Sequence, residues 1–115
     1  MVEPIDTAAI EQLRIMCGDD ADTMLPELIN AFRDDTVGLV ASLHTSLASG
    51  DKEIMRAAAH SLISSSLSFG AVRLSELARD LETLVKQGTL DGAATHISRI
   101  DEEFSRVQEA LSALP

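Results

Sequence analysis

The sequence contains no tryptophan, no tyrosine and a single cysteine in 115 residues, and aromatics make up only 3% of it. A core without large rings must be filled by Leu, Ile, Val, Met and Ala, which suits helices better than strands. No β-branched run with period two is present, so no sheet is expected. The lone Cys17 excludes an internal disulfide and reads as a small apolar residue near a helix end. Basic residues are also scarce: 9 Lys and Arg stand against 19 Asp and Glu, a formal net charge of −10. That balance argues against nucleic acid, which demands a basic face, and against anionic membrane surfaces. No stretch approaches the ~20 uninterrupted apolar residues of a membrane span. The opening Met1-Val2-Glu3-Pro4 has neither the basic nor the apolar segment of a secretion signal. A cytoplasmic location is therefore expected.

Motifs for metal and nucleotide chemistry are missing too. There is no His-x-x-x-His pair, no Glu-x-x-His and no cysteine cluster, so no metal site is expected. No glycine-rich loop opens a helix in the manner of a nucleotide site. The run Ser64-Ser65-Ser66 has no local base to make a hydrolase nucleophile and reads instead as small residues that allow tight packing.

What remains is helical from end to end. Hydrophobic residues make up 45% of the chain, enough for one core in one domain over residues 1–115. A short helix is expected over about 6–17, with Asp6 as N-cap and Ile10, Leu13 and Met16 on one face. A long helix should span about 22–48, its stripe running through Leu25, Leu28, Ile29, Phe32, Leu39, Val40, Leu43 and Leu47. Pro26 fits there if it falls in the first turn, where its missing N–H has no intrahelical role. A third helix covers about 51–68 after Ser49-Gly50-Asp51, and a fourth covers about 71–87 between Gly70 and Gly88. The last, about 89–113, carries Leu90, Ala93, Ala94, Ile97, Ile100, Phe104, Val107 and Leu111. Four long helices with short connections predict an all-α, antiparallel up-and-down four-helix bundle, with the first short helix capping one end. The first six residues and Pro115 are expected to be loose.

The third helix carries the unusual pattern. With roughly 100° per residue and His60 as origin, Met55, Ala58, Leu62, Ser65 and Phe69 fall about opposite it. His60 then points outward, flanked by Glu53, Arg56, Ala57, Ile63, Ser64 and Leu67. Two large apolar residues, Ile63 and Leu67, beside an outward histidine suggest a face that docks a partner, with Ala57 at its edge. A hairpin pivoting at Gly70 sets His60 level with residues near 80. Glu82 lies on the flank of that helix, within range to accept a hydrogen bond from one ring nitrogen and leave the other free. His44 and His96 lie at the edges of core stripes without motifs around them and read as boundary residues.

The segment from Ala59-His60-Ser61-Leu62 through Gly70-Ala71 and Leu74-Ser75-Glu76-Leu77 to Leu81-Glu82 resembles the signature of histidine phosphotransfer (HPt) domains. Phe32, Ser49-Gly50-Asp51 and the Gly88 turn fall where that family has them, so the likeness runs from about Ile5 to Leu111. The resemblance implies a protein that relays a phosphoryl group between receiver-domain aspartates in a two-component phosphorelay. It would do so through a phosphohistidine at His60, with Glu82 orienting the imidazole. It implies a carrier with no kinase site and no cofactor of its own, the Mg²⁺ being supplied by the receiver of a response regulator or hybrid kinase. A monomer with an open His60 face is expected.

The family usually places Lys three residues after the histidine and Gly four after. Here those positions hold Ile63 and Ser64. Ser64 is small and its hydroxyl can donate to a phosphate oxygen. Ile63 carries no charge, which leaves Arg56, one turn earlier on the same face, and Lys86, one turn beyond Glu82, as the candidate cations. Two other readings stand beside the carrier: a relative that docks a receiver or kinase without being phosphorylated, and a helical adaptor with no histidine chemistry.

Overall fold

The computed structural model describes residues 3–114 and is all-helical, with no strand among them. Helix α1 spans Thr7–Cys17, followed by a single 3-10 turn at Gly18–Asp20. Then come α2 (Ala21–Ser49), α3 (Lys52–Ser68), α4 (Val72–Lys86) and α5 (Ala93–Ser112). The four long helices form an antiparallel ring in which α3 packs between α2 and α4, and α5 closes it against α4 and α2. At ~1.5 Å per residue, the 29-residue α2 runs nearly the whole 47 Å long axis of the molecule. No helix among the described residues is long and apolar enough to cross a membrane.

Local chemistry sets the helix ends. The Asp6 carboxylate accepts from the Ala8 N–H and starts α1; the Asp51 carboxylate accepts from the Ile54 N–H and starts α3. Helix α2 begins earlier than Asp22, because the 3-10 turn runs directly into it. Pro26 therefore sits in the second turn rather than the first, and the Asp22 carbonyl loses its usual i+4 donor. Helix α5 begins at Ala93, not near residue 89. The backbone between the helices turns through Gly88 and Gly92, at φ 85° and 86°, a conformation that ends one helix and delays the next. The Thr89 hydroxyl accepts from the Asp91 N–H inside this turn, and Lys52 donates to the Gly88 carbonyl from the start of α3 at 2.7 Å.

The core is aliphatic, as the composition requires. Leu43, Met55, Leu62, Leu74, Leu81, Ile97, Ile100 and Val107 are fully buried. The expected stripes hold with three exceptions: Met16 is 82% exposed, Leu28 is exposed at the start of α2, and Ala94 is exposed on α5. Where rings exist they meet: Phe32 of α2 stacks on Phe69 at the end of α3, centroids 4.6 Å apart.

Met1, Val2 and Pro115, expected to be loose, lie outside the described residues. The rest of the N-terminal segment is pinned instead. Ile5 is buried, and the Asp6 N–H donates to the Gly70 carbonyl at 2.7 Å. Gly70 sits at φ 72°, and a Cβ there would lie 2.6 Å from the Asp6 carbonyl oxygen and 2.9 Å from the Ala9 side chain. Only glycine admits this close approach. The short helix is thereby clasped to the α3–α4 turn, which fixes the hairpin that carries the candidate site.

Candidate functional site: an exposed histidine held by a buried carboxylate

Helices α3 and α4 are lined where they meet by small side chains. Ala59 and Ser66 of α3 and Ser75 and Ala78 of α4, with Ala71 in the turn, are all buried. Small residues let two helices approach closely. This is the packing use of the serine run: Ser66 is the buried member, while Ser65 and Ser68 bond back to the Leu62 and Ser64 carbonyls.

Across this seam, 22 residues apart in sequence, His60 Nδ1 lies 2.8 Å from Glu82 Oε2. The two partners differ in solvent access. The His60 side chain is 66% exposed, whereas that of Glu82 is 10% exposed. A carboxylate oxygen accepts, so this contact places the donor on Nδ1 and turns Nε2 to the outer side. The other carboxylate oxygen, Oε1, faces Lys86 Nζ at 3.9 Å, an i,i+4 pair along α4. A buried carboxylate is costly unless paired, and Glu82 has a partner on each oxygen.

The remaining candidate residues are distributed around the ring. Ser64 is exposed one turn beyond His60 on the same face. Ala57 is exposed, and Leu67 is 48% exposed. Arg56 is one turn before His60 but is engaged by Glu53 in an i,i+3 ion pair. The Glu53 hydrogen bond and charge hold the Arg56 guanidinium above its ordinary range, with a smaller contribution from Glu82; Arg56 in turn holds the Glu53 carboxyl below its usual value. Lys86 reaches the site through Glu82 rather than standing free beside the ring.

Ile63 is the correction. Expected on the outward docking face, it is 9% exposed and belongs to the core cluster. The reason is a rotation of the buried arc. Met55, Ala58, Ala59, Leu62, Ile63 and Ser66 centre at about 230° from His60 rather than 180°. Helix α4 covers the Ile63 side, the same side from which Glu82 reaches the imidazole. Ser65 and Phe69, expected at the centre of the core face, are only half-buried. Of the three residues expected to dock a partner, only Ala57 and Leu67 are exposed beside His60.

A second imidazole–carboxylate pair was not legible in the sequence. His44, expected at a core boundary, is exposed on α2, and its Nε2 lies 2.8 Å from Asp101 Oδ2 on α5. The pair joins residues 57 apart, so only the α2–α5 register brings them together. His96 does sit at a boundary, half-buried, with its Nδ1 buried and without a partner among the described residues.

Of the two exposed imidazoles, only His60 is anchored by one ring nitrogen to a buried carboxylate, and a four-helix bundle that holds a histidine so defines a class built to offer a single nitrogen nucleophile. The family model of the Hpt domain matches residues 27–110, and the chain belongs to that family. Among solved structures it resembles the crystal structure of histidine-containing phosphotransfer protein B (HptB) from Pseudomonas aeruginosa PAO1. The TM-score is 0.88 and the identity 28%, over 97% of this chain and 94% of that one. No curated protein sequence matches it.

Proposed function

We propose that this chain is the histidine phosphotransfer component of a two-component phosphorelay, with His60 Nε2 as the phosphoryl acceptor. The observation that carries the reading is the asymmetry of the His60 ring: Nδ1 is tied to a buried carboxylate at 2.8 Å while the side chain stays two-thirds exposed.

The chemistry follows from that asymmetry. In the forward step the Nε2 lone pair attacks the phosphorus of a receiver aspartyl phosphate in line with the bond to the carboxylate oxygen. A P–N bond forms, the P–O bond breaks, and the aspartate leaves as a carboxylate. Nδ1 keeps its proton throughout, so the ring becomes a phosphorylated imidazolium and carries new positive charge. Glu82 faces that charge from the buried side, where the low dielectric strengthens the attraction. Transfer onward reverses the step, and the neutral ring is the leaving group. Glu82 therefore acts as a positioning residue that selects the tautomer and stabilises the charged ring. Ser64 is a hydroxyl donor toward the phosphoryl oxygens, and Arg56 and Lys86 supply the positive charge that Ile63 lacks.

Under this reading the aspartate and the magnesium of the reaction belong to the receiver, and the domain is a carrier without a kinase site. It acts as a monomer in the cytoplasm, because the His60 face must be free for two partners in turn. Ala57, Ser64 and Leu67 form the surface the receiver covers.

The test is transfer of label from a phosphorylated receiver. Acid-labile, base-stable label that disappears in His60→Gln supports the carrier. Binding of the receiver without labelling supports a docking relative, the reading favoured by Ile63 and by the engagement of Arg56 with Glu53. Absence of both leaves a helical adaptor.

A further inference from the structure

At the end of the bundle where α1, the start of α2 and the last turn of α5 meet, the protein encloses an open cavity of about 240 Å³. It is smaller than the ~300–1,000 Å³ of a drug-sized site, which limits an occupant to a small molecule. Its floor is apolar, made by Leu25 and Ile29 of α2 and by Leu111 and Leu114 of the C-terminal turn. Its rim is not. In a chain with only 9 Lys and Arg, two of them, Arg14 and Arg33, line this one cavity, against a single carboxylate side chain among the described residues, Asp22.

Arg33 is the informative member. Its Nη2 donates to the Ser112 hydroxyl at 2.7 Å and, more weakly, to the Gln108 carbonyl at 3.4 Å. Those bonds fix the guanidinium plane between α2 and α5. Its Nε–H is buried and has no acceptor among the described residues. A buried donor on a charged group is rarely left without a partner, because the desolvation is then uncompensated. The Ser112 hydroxyl, having accepted from Arg33, keeps its own proton to donate. Arg14 adds a second guanidinium whose only ion pair among the described residues is a long 3.7 Å contact with the exposed Glu11. Such a pair is weak and readily exchanged.

We propose that this cavity is a binding site for a small apolar carboxylate. The headgroup lies between the Arg33 and Arg14 guanidinium groups, and the hydrocarbon lies on Leu25, Ile29 and Leu111. The acid matches the cavity's chemistry: a negative charge for the two lining arginines and a short tail for the apolar residues. A cation is opposed by both arginines, and an alcohol of the same length leaves the charge unmatched. The site is separate from His60. It is one residue from Phe32, whose ring stacks on Phe69 at the end of the His60 helix.

The experiment titrates the full chain, uniformly labelled with ¹⁵N, with hexanoate, hexan-1-ol and hexylamine at pH 7 and follows amide shifts. Saturable hexanoate shifts are expected, confined to residues around 14, 22–33 and 108–114. Affinity should be on the order of millimolar, with hexan-1-ol and hexylamine at least ten-fold weaker. Arg33→Gln should weaken hexanoate at least ten-fold, with Arg33→Lys intermediate. The wild-type comparison of acid with alcohol stands even if an Arg33 variant folds poorly. Equal binding of acid and alcohol overturns the carboxylate assignment, and so does hexanoate binding that survives Arg33→Gln. Absence of saturable shifts, with water alone filling the cavity, overturns the site itself.

Discussion

The Glu82 carboxylate is buried and the His60 ring it holds is exposed, at 10% and 66% side-chain exposure, with 2.8 Å between Oε2 and Nδ1. This orders the roles of the two groups. The acid is placed where its charge is little screened, and the nucleophile is placed where a partner can reach it. Glu82→Gln keeps an acceptor for Nδ1–H but removes the charge that faces the phosphorylated ring. Hydrogen bonds to charged groups contribute about 1.5–3 kcal/mol, so transfer should slow by roughly ten- to a hundred-fold. Glu82→Ala should slow it further and release the tautomer. Stopped-flow transfer rates, with ¹⁵N shifts of the His60 ring, check both outcomes.

With Ile at position 63, the positive charge proposed to face the phosphoryl group comes from Arg56 and Lys86, and Glu53 competes for Arg56. Glu53→Gln should free Arg56 and lengthen the phosphohistidine lifetime by up to about fivefold, the scale of an exposed ion pair. The pH dependence has a defined sign. Arg56 holds the Glu53 carboxyl below its usual value, so the pair is intact above the ordinary carboxyl range and is lost as pH falls through that lowered value. Acid hydrolyses the phosphohistidine in both proteins, so the expected signature is that the longer lifetime of Glu53→Gln over the wild type disappears below that value. Phosphohistidine decay in the wild type and the variant at matched pH checks this.

Ile63→Lys tests the same point from the other side. The residue lies at the margin of the buried arc, so a lysine stem can stay against α4 while its ammonium reaches water. Lost burial should cost about 1–3 kcal/mol of stability. The phosphorylated state should nonetheless be longer-lived than in the wild type. Denaturant unfolding beside phosphohistidine half-life separates the two effects.

Two glycines should respond in opposite directions to alanine. Gly70→Ala places a Cβ 2.6 Å from the Asp6 carbonyl oxygen at φ 72°. It should cost at least ~2 kcal/mol and loosen α1. Gly38 is inside α2 with nothing within 4 Å of an added Cβ, so Gly38→Ala should stabilise by about 0.5–1 kcal/mol. Chemical denaturation of both variants gives the comparison directly.

The fold was legible because its signals are local. Helical periodicity, the Asp6 and Asp51 caps and the glycine turns each act within a few residues, and they agree with one another. His60 and Glu82 could be paired because one tight turn at Gly70 fixes their register. What stayed hidden depends on how helices roll against each other. The roughly 50° rotation of the buried arc of α3 moved Ile63 inward, and no feature of α3 alone encodes it. The His44–Asp101 pair and the bonds from Arg33 to the end of α5 span 57 to 79 residues. They rest on the packing of α2 with α5, which periodicity does not align. The late start of α5 reflects Leu90 continuing the apolar spacing through a turn that Gly92 interrupts.

The central claim is tested most directly by mass and ³¹P NMR analysis of the protein after incubation with a phosphorylated receiver and magnesium. The account predicts one phosphoryl group, on Nε2 of His60, present in the wild type and in His44→Gln and absent in His60→Gln. A receiver that binds yet leaves the wild type unlabelled, or label that persists in His60→Gln, would contradict it.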